Sequence, residues 1–140
     1  MSRLVVDSSV VIKWFVPEVH SDDAVRYLDP DLQRDAPELL LAEVSNILWK
    51  KVGRGDLTAP QAEKVAQDVE QADVNIHRMG PLFRRAIGLA LATGRTAYDC
   101  TYLALAEYLN TRVATADRRL YNALQGGPYA HLVLWIEDGP

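Results

Sequence analysis

The chain has 140 residues, 49% hydrophobic and 24% charged, a size and balance that suit one globular domain with its own core. Its formal net charge of −4 argues against a protein that coats nucleic acid by bulk attraction, and its apolar runs fall far short of a bilayer span. The only cysteine, Cys100, rules out an internal disulfide, and the N-terminus lacks a secretory apolar core, so a cytoplasmic location is the expectation.

"RLVVD" (3–7) reads as a buried strand ending in a carboxylate. "SSVVIKWFV" follows as a short helix stopped by Pro17, and "SDDAVRYL" (21–28) as a second helix opened by a Ser/Asp cap. "RDAP" holds a short second strand. A longer helix then runs from Pro37 to Lys51, with Pro37 in its first turn and Lys50 and Lys51 at its negative end. "GRGD" (53–56) is a turn, and Thr58 caps an amphipathic helix over 58–72. A third strand covers 74–79, helices cover 81–94 and 96–110, and Gly94 ends the first of them. Strand 112–116, short helix 117–124, a "GGP" turn and strand 131–136 complete the chain. Short apolar strands alternating with helices predict a parallel α/β sheet covered on both faces, with ligands beyond the carboxyl ends of its strands.

Four acids fall at or near that end: Asp7 after the first strand, Glu43 on the Pro37–Lys51 helix, Asp99 in the first turn of a helix, and Asp117 just beyond a strand. Three have ordinary alternatives. Asp7 suits a turn, Asp99 suits a capping box with Thr96, and Asp117 suits a helix cap. Glu43 is harder to place. It projects between Leu39 and Ile47 on an apolar face, where a lone carboxylate is costly. Its main alternative partner, Lys50, is two turns away, about 10 Å along the helix, long for a direct pair. If the four converge, like charges repel and raise one another's pKa, and a hard divalent cation reverses that sign. Oxygen ligands without a His/Cys cluster select magnesium or manganese over zinc, and metal-assisted phosphodiester hydrolysis is the implied chemistry.

"LVVDSSVVIKWF", "APELLLAEVSNILWKK", "TAYDCTYLALAEYLN" and "VATADRRL" together resemble the PIN-domain ribonucleases of the VapC type, the toxin halves of VapBC toxin–antitoxin pairs. The resemblance spans essentially the whole chain as a single PIN domain, 1–140. It implies a three-layer α/β/α fold around a parallel sheet of about five strands, and a Mg2+- or Mn2+-dependent endoribonuclease. It implies that Asp7, Glu43, Asp99 and Asp117 form the catalytic quartet. Asp7 and Asp99 would be the most direct metal ligands, Asp117 would ligate the metal or hold its water, and Glu43 would act through water. Asn46, Thr115 and Ser9 match supporting polar positions; "DSS" stands where many relatives read "DAS" or "DTN", which keeps a small polar residue. Arg95, Lys13, Arg118 and Arg119 are candidate phosphate contacts, each with surface charge as its plainer reading. The resemblance further implies RNA cleaved to 5′-phosphate and 3′-hydroxyl ends, a homodimer, and a cognate antitoxin whose arginine reaches the acids.

The alternative function is a catalytically silent PIN-like module that binds RNA or protein, which would have no need of a repulsive acidic cluster. A receiver domain is set aside because "VATAD" and "HLVLWI" offer no lysine at the required place. Cys100 has no histidine at nucleophile spacing and reads as a packed thiol. Trp14 reads as core or interface, and Trp49 as a residue that stacks on a base or meets a partner.

Overall fold

The computed structural model describes residues 2–140. Five parallel strands form one sheet in the order β3-β2-β1-β4-β5: β1 Ser2–Val6, β2 Leu32–Pro37, β3 Asn75–His77, β4 Val113–Thr115 and β5 Val133–Trp135. Alternation along β1 divides the core. Leu4 and Val6 face helices α1 (Ser8–Val11), α2 (Ser21–Val25), α3 (Leu39–Gly53) and α4 (Ala59–Gln71). Val5 faces α5 (Phe83–Thr93) and α6 (Ala97–Tyr108), with α7 (Arg118–Leu124) adding Leu120 and Leu124. Helices on both faces of a parallel sheet give the three-layer α/β/α architecture expected from the sequence. Among the described residues no helix is long and apolar enough to cross a membrane.

Several element ends differ from the sequence reading for local reasons. β2 starts at Leu32 rather than within "RDAP", because Leu32 and Gln33 pair with Ser2 and Arg3 of β1, and its polar Arg34 is buried. The Arg34 guanidinium donates to the carbonyls of Tyr27, Asp29 and Asp73 at 2.9–3.0 Å, so a charge sits inside a strand without an orphaned donor. Pro37 closes β2 instead of opening α3. β1 pairs with β2 only as far as Val5 and Asp35, so a residue without an N–H is tolerated there. Ser21 lies inside α2, whose cap position is taken by His20 in the left-handed region (φ 68°). Thr58 caps α4 as expected, through a reciprocal capping box with Gln61. Gly94 ends α5 at φ 72°, a conformation that favours glycine.

Candidate metal-dependent active site

The strand order reverses between β1 and β4, and this switch point is where the acids gather. Asp7 leaves β1 to cap α1: its Oδ1 accepts from the Val10 amide at 3.2 Å and from the Ser9 hydroxyl at 2.5 Å. Asp117 leaves β4 to cap α7, its Oδ1 accepting from the Arg119 and Leu120 amides at 3.0 and 3.3 Å. Two hydroxyls tie these turns together. Ser9 Oγ accepts from the Ala116 amide at 2.8 Å and lies 3.5 Å from Thr115 Oγ1, which accepts from the Asp117 amide at 3.0 Å. The small polar residues at 9 and 115 therefore fix the two strand-end acids against each other.

Asp99 and Glu43 come in from the helices. Thr96 caps α6 by accepting from the Asp99 amide at 3.0 Å. The return half of the expected capping box is not made; the Asp99 carboxylate turns instead to Arg95, whose Nη2 donates to Oδ2 at 3.3 Å. Glu43 finds hydroxyl partners rather than Lys50. Its Oε1 accepts from the Tyr102 hydroxyl at 2.6 Å and from Ser8 at 3.3 Å. Tyr102 lies one turn after Asp99 on the same helix face, so α6 supports two acids at once.

The electrostatics record the crowding. Burial pushes the Asp7 carboxyl up to about 6, against the pull of the Ser9 and Thr115 hydroxyls and the Val10 amide, and the charge of Asp117 adds to the rise. Burial also raises Glu43 despite its bonds to Tyr102 and Ser8, and Asp99 repels it. Asp99 is raised by burial, with Arg95 opposing and Asp117 adding. The Tyr102 hydroxyl is held well above its usual range by burial and by Glu43. The four acids therefore feel one another. They do not collapse into a closed cage: among the described residues no three of them bring oxygens within 4.8 Å of one another.

Known proteins share the sequence pattern and the fold. The model of the PIN domain family matches residues 4–124. The chain belongs to the PIN-domain family. Among curated proteins it is similar to Ribonuclease VapC3 of Pyrobaculum aerophilum, at 33% identity over 120 residues, covering 84% of this chain and 92% of that protein. It is also similar to Ribonuclease VapC9 of Mycobacterium tuberculosis, at 29% over 117 residues, covering 84% and 87%. Among solved structures, a toxin–antitoxin complex from Klebsiella pneumoniae shares the fold, with a TM-score of 0.66, 17% identity and coverage of 94% and 95%.

Each acid of this PIN domain commits one oxygen to the protein and keeps the other uncommitted: Asp7 Oδ2, Glu43 Oε2, Asp99 Oδ1 and Asp117 Oδ2. None of these four is a sealed, partnerless buried atom. No histidine or thiol joins them, and Cys100 is packed against Thr93 at 3.6 Å. This all-oxygen, anionic donor set fits a hard divalent ion. A tighter trio, His20, Asp23 and Glu137, lies elsewhere in the PIN domain. It is spoken for by Arg26 and by the Trp135 indole.

The remaining candidates divide. Asn46 lines a groove of ≈ 400 Å³ with Ser8, Leu39, Ala42, Glu43, Ile47 and Tyr98, but makes no hydrogen bond to Glu43. Lys13 is committed with Lys51 to Glu18, at 3.1 and 2.5 Å. Arg118 stacks over the Trp135 ring at 3.7 Å, and Arg119 is exposed. Trp14 packs in the core and donates to the Ala24 carbonyl at 2.8 Å, whereas Trp49 is exposed. Sequence reasoning missed Tyr102 and Tyr98. The signal was available: "YDCTY" places one aromatic beside Asp99 and another a turn later.

Proposed function

We propose that this PIN domain is a Mg2+- or Mn2+-dependent endoribonuclease and the toxin half of a toxin–antitoxin pair. The observation that carries the reading is the set of four half-committed carboxylates at the sheet's switch point, each with one oxygen free. Asp7, Asp99 and Asp117 would hold the ion. A bound divalent ion would supply charge for the scissile phosphate and lower the pKa of water. The protein's own groups do the rest. The caps on Asp7 and Asp117 hold their carboxylates in place before substrate arrives. Tyr102 and Ser8 orient Glu43 toward the groove, where it is placed to accept a proton from water. The kinship with proteins named ribonuclease VapC supports RNA as the substrate.

The fold shared with a toxin–antitoxin complex supports a protein partner that covers the acids and restrains the enzyme. Exposed Phe83, Ile87 and Leu91, at four-residue spacing along α5, give the chain an apolar stripe suited to a homodimer. The direct test incubates purified protein with structured RNA in Mg2+, in Mn2+ and in EDTA, beside Asp99→Asn. Cleavage that needs the ion and disappears in the variant is expected. Cleavage in EDTA, or unaltered cleavage by Asp99→Asn, would refute the reading.

A further inference from the structure

Arg95 is the one member of the four candidate phosphate-binding cations that faces an acid of the quartet. Its place is fixed by the chain on both sides. Gly94 closes α5, Thr96 caps α6, and the Arg95 amide donates to Thr93 Oγ1 at 3.2 Å. The side chain is three-quarters buried, at 25% exposure, yet its hydrogen bonding is poor. Only Nη2 reaches an acceptor, Asp99 Oδ2, and 3.3 Å is long for a bond between ions, which usually runs about 2.7–2.9 Å. Among the described residues Nε is buried and has no hydrogen-bond partner. A buried unsatisfied donor is unfavourable, so this is a guanidinium held in place by its backbone rather than by its own contacts. A fork with idle donors, resting against one acid of the quartet, lacks acceptors that a phosphodiester would bring.

Resting on the nuclease reading, we infer that Arg95 has two jobs in succession: it is the resident counter-cation of Asp99 in the free enzyme, and the clamp on the substrate phosphate once Asp99 is neutralised. In the free state the guanidinium offsets part of the repulsion among Asp99, Asp117 and Glu43, and so competes with a divalent ion for Asp99. With Asp99 neutralised, the pair loosens and the fork turns its donors to the non-bridging oxygens of RNA. The cation that steadies the empty site thereby becomes a phosphate contact only when the site is charged for reaction.

The two jobs make opposite demands, and that separates them from a structural role. Mn2+ binding to the full chain, measured by calorimetry, is expected to tighten roughly threefold to tenfold in Arg95→Gln, because a competing charge is gone. Binding of a short fluorescent RNA, with Ca2+ in place of Mn2+ to hold off cleavage, is expected to weaken by tenfold or more, with the salt dependence falling by about one phosphate contact (slope change of about 0.7). Arg95→Lys keeps the charge but loses the fork; its Mn2+ affinity should stay near wild type while its RNA affinity falls. Wild-type protein that binds Mn2+, with Arg95→Gln binding it no tighter, would overturn this inference alone. So would RNA affinity and salt slope unchanged in Arg95→Gln. Affinity for both ligands lost together would identify a purely structural residue and also overturn it. Wild-type protein that binds no Mn2+ would overturn the nuclease reading and this inference with it.

Discussion

Asp7→Asn should make the metal-free protein more stable at neutral pH while abolishing its activity. The wild-type carboxyl is buried and raised from 3.8 to about 6. The folded state therefore binds the proton more tightly than the unfolded chain does. Below about pH 3 Asp7 is neutral in both states and burial of its charge costs nothing. As pH rises from about 3 to 6 the unfolded chain ionises first, and stability falls. Above pH 6 the full cost is present, about 3 kcal/mol for this residue. Asparagine has the same shape, keeps an oxygen for the Val10 amide and the Ser9 hydroxyl, and never ionises. The variant should match wild type at about pH 3 and exceed it at pH 8 by up to about 3 kcal/mol, or about 10 °C in Tm. Thermal unfolding followed by circular dichroism in EDTA, on both proteins across this range, reads the difference directly and cancels the other titrating groups. A difference that does not change with pH, or a variant less stable at pH 8, would refute the claim that Asp7 is a buried charge held at a cost.

Tyr102→Phe removes the 2.6 Å donor that opposes the rise of the Glu43 carboxyl. Glu43 should then ionise at higher pH, so the acid limb of the RNA-cleavage profile should move upward and activity on that limb fall; a profile superimposable on wild type would exclude a role for the tyrosine. Asp117→Asn and Asp117→Ala separate cap from catalysis. Asparagine accepts from the Arg119 and Leu120 amides as aspartate does, so it should leave Tm nearly unchanged, whereas alanine should cost about 1 kcal/mol by urea titration. Both should lower cleavage a hundredfold or more.

The layers of this fold were legible because its strands and helices differ in period and are punctuated by strong signals. Thr58 and Gly94 ended or began helices where the sequence put them. β2 was only half legible, since Leu32 and Gln33 join it by pairing with Ser2 and Arg3 of β1, a partner remote in sequence. For the site, the helix caps and the functional acids turned out to be the same residues. Asp7 and Asp117 do cap helices, and the cap uses one oxygen only, which composition and spacing do not reveal. The partner of Glu43 was illegible from its own helix because it lies 59 residues away, on α6. Its own helix offered only Lys50, two turns away and too distant for a direct pair; tertiary packing supplied Tyr102.

The central claim is that this acidic site hydrolyses RNA with water rather than with the neighbouring 2′-hydroxyl. The most direct measurement is mass spectrometry of the product ends after cleavage in Mg2+ and H2(18)O. One heavy oxygen in each newly formed 5′-phosphate, opposite a plain 3′-hydroxyl, is the expected result. Ends carrying a 2′,3′-cyclic phosphate, with no label at the 5′ side, would contradict it.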